Sequence, residues 1–213
     1  MYNPDDSSPQ IEATQALIRD KAKALFGHYG FSKTSIGDIA KACSMSPGNI
    51  YRYFRNKQAI GVAVVENFFD LQASRMLEAR HVENQSVETR LRRTITEGVT
   101  HLVEMMGGNP RLFEMAEFLC EDPEGAELLA RHRNWMGELL GELIAEGNST
   151  GELDVADPDT AGWNLLLVTT AFWMPQALMA WHRHDMILDD LQVVLDMTFP
   201  AMRDSRAMGS VSG

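Results

Sequence analysis

Two cysteines, Cys43 and Cys120, are all that the 213 residues contain. Isolated cysteines in a chain without a secretory leader fit a reduced, cytoplasmic protein. The opening segment MYNPDDSSPQ is acidic and proline-containing, where a leader would be basic and then apolar. A disordered arm over residues 1–9 is expected instead, with a second disordered stretch over 205–213. Long apolar runs are also missing. The longest, Leu165 to Met174, falls far short of the roughly 18 residues that cross a bilayer, and Thr169 and Thr170 interrupt it. No segment alternates for long enough to argue for a strand.

The motifs of catalysis are equally scarce. No nucleophile motif, glycine-rich phosphate loop or HExxH sequence occurs, so no catalytic residue, cofactor or enzymatic activity is expected. His182 and His184 stand two apart, on different sides of a helix and without a carboxylate or thiolate cluster, and no metal site is expected.

Charge is unevenly placed. The net charge is −11, yet Gln10 to Ile60 holds eight Lys or Arg against three Asp or Glu, a net of +5 that leaves −16 for the rest. All five lysines, Lys21, Lys23, Lys33, Lys41 and Lys57, lie in that segment. A basic patch joined to an acidic body points to a nucleic-acid surface.

Helical periodicity runs through every convincing segment, so the fold expected is all-α with about nine helices. The first covers about 11–29, with an apolar stripe of Ile11, Leu17, Ile18, Ala22, Leu25 and Phe26 that Gly30 terminates. Two short helices follow, Ile36 to Ala42 and Pro47 to Phe54, with Ile36, Ile39, Ala40, Met45, Ile50 and Phe54 as their shared floor. A long helix over 57–80 comes next. Later starts are marked by Ser86, Asn109-Pro110, Asp122-Pro123 and Asp157-Pro158, each a cap, with proline at the first helical position in the last three. The final two helices are expected over about 158–182 and 187–203. The domains expected are one over 10–56, holding the two short helices, and a helical body over 57–204.

Between Thr34 and Ile60 the caps and apolar spacing read as a helix-turn-helix. Thr34 or Ser35 caps its first helix, with Asp38 completing a capping box; Ser46 followed by Pro47 starts the second; Asn56 caps the long helix. In such a motif the start of the second helix meets base edges in the major groove. Gly48 allows close backbone approach, and Asn49 presents a donor and acceptor that match the edge of adenine. Arg52 can reach a guanine or a phosphate, while Tyr51, Tyr53 and Lys57 suit phosphate oxygens. The DNA-facing set is therefore Thr34, Ser35, Ser46, Pro47, Gly48, Asn49, Tyr51, Arg52, Tyr53 and Lys57.

In the order Gly30-Phe31, Thr34-Ser35-Ile36, Asp38-Ile39-Ala40, Ser46-x-Gly48, Tyr51-x-Tyr53-Phe54 and Lys57, the segment resembles the DNA-binding domain of the TetR family of bacterial transcriptional regulators. With the preceding helix the resemblance spans about a quarter of the chain. It implies a homodimeric, usually repressing regulator whose helical body binds a small molecule. It also implies that Ser46, Gly48, Asn49, Tyr51, Tyr53 and Lys57 face DNA. Ser44 departs from it, because the family commonly has glycine in the turn. A serine at positive φ is strained by about 1 to 2 kcal/mol, so a different local path for the turn is expected.

For the body, Met and aromatic side chains suit an adaptable apolar pocket. The candidates are Leu102, Met105, Met106, Phe113, Phe118, Trp135, Met136, Leu139, Trp163, Leu166 and Trp173, for an unidentified small hydrophobic ligand. Leu165 and Phe172 on one late helix, with Leu191, Leu195, Thr198 and Met202 on the other, form stripes suited to a dimer interface. The partners expected are thus a palindromic double-stranded operator, a second copy and the ligand, with no membrane. An enzyme or carrier with a vestigial helix-turn-helix, an activator, or an architectural protein without a ligand stand as alternatives.

Overall fold

The computed structural model describes residues 9–108, 111, 115, 121–180 and 186–203. Among these the chain is helical and contains no strand. The helices are α1 (Pro9–Tyr29), α2 (Ile36–Ala42), α3 (Pro47–Ile50), α4 (Lys57–Arg80), α5 (Val87–Gly108), α6 (Pro123–Thr150), α7 (Pro158–Val168), α8 (Thr170–Trp173), α9 (Pro175–Ala180) and α10 (Ile187–Arg203). The caps account for the boundaries. Asn56 Oδ1 accepts from the Ala59 amide at 2.7 Å, Ser86 Oγ from Thr89 at 3.2 Å, and Asp122 Oδ1 from Glu124 at 3.0 Å. Asp157 does the same for α7 through the Thr160 amide at 3.1 Å. Asn109 and Pro110 lie outside the described residues, as do both expected disordered ends apart from Pro9.

Compactness divides the chain into two units: 1–69 with 106–129, and 70–105 with 130–213. The division falls inside α4, whereas the caps alone placed a boundary at its start. In the first unit Ile18, Ala22 and Phe26 of α1 pack with Ile39, Ala40, Ile50 and Phe54 in a closed core. Ile11 and Leu17 of the expected stripe are exposed. Gly61 matters here, because a Cβ on it would stand 2.9 Å from the Phe31 ring, which also meets Phe26 edge-on at 4.9 Å. Met115 reaches the same place, and Arg55 pairs with Glu124 at 2.5 Å, which explains why 106–129 belongs with the N-terminal helices.

The second unit is built on Met76, Leu91, Ile95, Leu140, Leu143, Leu191, Leu195 and Phe199, all fully buried. α6 and α7 cross at glycine: a Cβ on Gly162 would lie 2.5 Å from the Gly137 carbonyl oxygen, and Trp163 lies over Gly137. Arg90 grips Glu146 with both terminal nitrogens, Arg80 pairs with Glu142, and the partly buried Arg90 also donates from Nε to the Arg80 carbonyl.

The helix expected over 158–182 is three helices. Thr169 leaves helical geometry at φ −97°, ψ 7°, and Met174 is extended at φ −102°, ψ 112°. Pro175 explains the second break, since its ring excludes the residue before it from the helical region. The single helix expected from Pro47 to Phe54 also stops early, at Ile50. From there Arg52 and Tyr53 bond three residues back, to Asn49 and Ile50, a tightened last turn.

Candidate nucleic-acid interface

α2 is locked at its start by a reciprocal pair: Ser35 Oγ accepts from the Asp38 amide at 3.2 Å, and Asp38 Oδ2 accepts from the Ser35 amide at 2.9 Å. These bonds hold the Asp38 carboxyl below its ordinary range. The turn that follows takes the path that favours glycine. Ser44 sits at φ 56°; its amide bonds to the Lys41 carbonyl at 3.1 Å and the Met45 amide to Ala40 at 2.8 Å. That pattern is a Schellman motif with serine in the left-handed position. The different local path expected for Ser44 is therefore not taken, because two capping bonds hold the strained conformation in place. Cys43, just before it, is buried, and its thiol is raised in pKa by desolvation, which leaves it unreactive.

Ser46 then caps α3, its Oγ accepting from the Asn49 amide at 3.2 Å, with Pro47 at the first helical position. Ser46, Pro47, Gly48, Tyr51 and Arg52 are exposed, and Asn49 and Tyr53 are half-buried. Gly48 is informative. A Cβ there would find only Ser46 Oγ, at 4.0 Å, so nothing inside the protein requires glycine. The residue weakens its helix by about 1 kcal/mol without any return in packing.

Two of the expected DNA-facing residues have internal roles. Thr34 is 2% exposed, and its hydroxyl donates to the Gly30 carbonyl at 2.9 Å, closing the turn after α1. That burial takes it off the surface. Lys57 is half-buried, and its Nζ donates to the Phe31 carbonyl at 2.8 Å, 4.6 Å above the Phe31 ring. Burial lowers its pKa. Ser35 is exposed at the N-terminus of α2, where its hydroxyl also donates to Asp38.

In the body, Leu102, Met136, Leu139 and Leu166 are buried, Met105, Trp135 and Trp173 are half-buried, and Trp163 is exposed. Phe113 and Phe118 lie outside the described residues, as does the side chain of Met106. The dimer candidates need correction. Leu165, Phe172, Leu191 and Leu195 are 2% exposed or less, so the stripes picked from the sequence are the core faces of their helices. Thr198 and Met202 are half-buried. The exposed apolar residues of the same helices are Leu167, Val168, Val193 and Met197, with Met197 77% exposed. Sequence spacing also missed Gln72 and His132, two polar residues inside buried helix faces. The one signal that could have found Gln72 is its place as the polar member of the stripe Phe68, Gln72, Met76, Ala79. Among the described residues no group of three or more His, Cys, Asp or Glu is placed to hold a metal, and no helix is long and apolar enough to cross a membrane. His182 and His184 lie outside the described residues.

A basic N-terminal segment, Gln10 to Ile60, that carries the capped, exposed second helix of a helix-turn-helix defines a DNA-binding transcriptional regulator. Residues 18–64 match the family described as bacterial regulatory proteins, tetR family, and residues 87–194 match the tetracyclin repressor-like C-terminal domain. The chain belongs to the TetR family. It is 23% identical over 171 residues to the HTH-type transcriptional regulator UidR of Escherichia coli K12, covering 79% of this chain and 83% of UidR. Its fold is similar to that of a transcriptional regulator from Cytophaga hutchinsonii, at TM-score 0.72 and 17% identity over 88% of this chain and 97% of that one. It is also similar to SmeT, the repressor of the Stenotrophomonas maltophilia multidrug efflux pump SmeDEF, at TM-score 0.67 and 21% identity, covering 90% and 91% of the two chains.

Proposed function

We propose that the protein is a cytoplasmic, ligand-responsive repressor that binds a palindromic operator as a homodimer and is released by a small hydrophobic molecule. The observation that carries the DNA reading is the unforced Gly48 at the exposed start of α3, flanked by Ser46, Asn49, Tyr51 and Arg52. Asn49 and Arg52 are the base readers in this proposal, and Ser46, Tyr51 and Tyr53 position the motif on phosphates. Lys57 supports them by holding the loop after α1.

A single turn of recognition helix reads few base pairs, so two copies about 34 to 36 Å apart are needed to contact successive major grooves. The second copy docks on Leu167, Val168, Val193 and Met197, where apolar side chains of α7 and α10 stand in solvent. The likeness to SmeT, the repressor of an efflux pump, favours repression over activation. Ligand binding need only prefer the DNA-incompetent state by roughly 1 to 3 kcal/mol for an effective switch. The proposal assigns the protein no reaction.

Selection of bound duplexes from a random pool, followed by a salt titration on the winner, tests the reading. A palindromic consensus with half-sites about one helical turn apart is the expected result. Recovery of no sequence above background at low salt would overturn it.

A further inference from the structure

The second unit contains a buried hydrogen-bonded relay that packing alone does not require. Gln72 of α4 is 2% exposed. Its Nε2 donates to the Gly98 carbonyl of α5 at 2.7 Å, and its Oε1 lies 2.7 Å from His132 Nε2 of α6. With the amide nitrogen committed to a carbonyl, Oε1 can only accept, so His132 carries its proton on Nε2. Burial keeps the ring neutral, its pKa pushed down to about 4.

Aromatic and soft groups enclose the relay. Trp135 stacks on the His132 ring at 5.6 Å and 25°. Trp173 and Met76 occupy the space a Cβ on Gly98 would need, at 2.7 and 2.9 Å. The Trp173 indole donates to Thr169 Oγ1 at 2.9 Å. One turn before Gly98 on the same face of α5, Thr94 is fully buried and its hydroxyl has no hydrogen-bond partner. A helical threonine ordinarily returns that hydroxyl to the carbonyl one turn back, as Thr169 does to Leu165 at 2.7 Å.

Apolar side chains of the same volume would fill this space and leave nothing unsatisfied. A few convergent polar groups among aromatic walls are instead the composition of a small-molecule site. Gln72, His132, Thr94, Thr169 and the Gly98 carbonyl are all uncharged, so none offsets the desolvation of an ionised ligand. We propose that this cluster reads an uncharged aromatic ligand carrying one hydroxyl or carbonyl group, with the ring against Trp135 and Trp173 and the polar group on Gln72, His132 and Thr94. The inference rests on the ligand-responsive reading above and specifies the class of molecule. Such a ligand breaks into the bond between α4 and α6, and α4 is the helix that begins directly after the DNA-binding motif.

Calorimetric titration of the full-length protein with 2-naphthol, naphthalene and 2-naphthoate tests it. 2-Naphthol is expected to bind at least about ten-fold more tightly than either of the others. In the double variant Gln72→Leu with His132→Phe, which removes both hydrogen-bonding partners together, the preference of 2-naphthol over naphthalene should fall to about three-fold, the share left to Thr94. Thr94→Val reads the third group separately and should lower 2-naphthol affinity about three-fold with naphthalene unchanged. No binding of 2-naphthol, a preference for 2-naphthoate, or a 2-naphthol preference undiminished in the double variant overturns the assignment. Operator release is measured in parallel. Should 2-naphthol bind as expected while no bound compound alters DNA affinity, the site stands and the ligand-responsive reading falls.

Discussion

Lys57 Nζ donates to the Phe31 carbonyl oxygen at 2.8 Å and stands 4.6 Å from the centre of that residue's own ring. One ammonium thus ties the start of α4 to the loop between α1 and α2, and the Phe31 ring in turn rests against Gly61 and Phe26. A charge-assisted hydrogen bond with a cation–π contact contributes about 1 to 3 kcal/mol. Lys57→Ala should therefore lower unfolding stability by about 1 to 2 kcal/mol in urea titrations. Its salt slope for operator binding should stay unchanged; a slope reduced by about 0.9 would mean that Lys57 neutralises a phosphate directly.

Asn49→Ala should change discrimination at one base pair of each half-site by about 1 to 3 kcal/mol and leave the other positions alone. Tyr51→Phe, which removes a phosphate-directed hydroxyl, should weaken all operator variants alike. Binding measured across a panel of single-base operator changes separates the two patterns, and equal losses everywhere for Asn49→Ala would argue against base readout.

The left-handed Ser44 offers a direct gain. At φ 56° a side chain is strained by about 1 to 2 kcal/mol, while glycine there loses part of the benefit to unfolded-state entropy. Ser44→Gly should raise stability by about 0.5 to 1 kcal/mol with operator affinity unchanged. A destabilised Ser44→Gly protein would show that the serine side chain contributes more than the strain removes.

Acidification should act through His132. An unfolded histidine takes up its proton near pH 6.5, whereas in the folded chain burial holds that uptake down to about 4. Between those values the unfolded state binds more protons, so stability is full above about pH 6.5 and is lost progressively as pH falls toward 4. The loss from this group by pH 4 is on the order of 3 kcal/mol. Thermal unfolding followed from pH 7 to 4 should lose most of that slope in His132→Gln; an identical slope in the variant would place the proton uptake elsewhere.

Met197 is the most exposed large apolar residue described, and Leu167, at 69%, is the next. A Met197→Glu substitution puts a charge into the proposed dimer face and should convert the dimer to monomer in sedimentation equilibrium, with specific DNA affinity reduced by at least about ten-fold. The change should leave the fold intact, because the side chain touches solvent. A dimer that survives Met197→Glu and Leu167→Glu together would move the interface to another surface.

Much of this molecule is readable from neighbouring residues. Ser46-Pro47, Asn56-Lys57, Ser86-Val87, Asp122-Pro123 and Asp157-Pro158 mark helix starts because a cap and its amide lie within three residues of each other, and each start is observed where those residues stand. The helix-turn-helix is legible for the same reason: its caps, turn and apolar spacing are all short-range. Periodicity also identified Leu165, Leu191 and Leu195 as members of a face. What it could not say is which partner that face meets, since a stripe that packs inside its own chain and one that packs on a second copy have the same spacing.

The remaining decisions turn on burial and on which partner a group takes up in the folded chain. Thr34 or Ser35 could cap α2; Ser35 takes the cap, and Thr34 is buried with its hydroxyl on the Gly30 carbonyl. Ser44 could escape strain by another path, but the bonds from Ser44 and Met45 back to α2 hold it in the left-handed region. Gln72, Gly98 and His132 are unremarkable one by one; they become a site when three helices bring an amide, a carbonyl and an imidazole within 2.7 Å of one another in sequence of bonding. Capping and periodicity are local and strong enough to be written along the chain. Burial, strain and hydrogen-bond partnership depend on what the rest of the fold brings alongside, and only the folded chain supplies that.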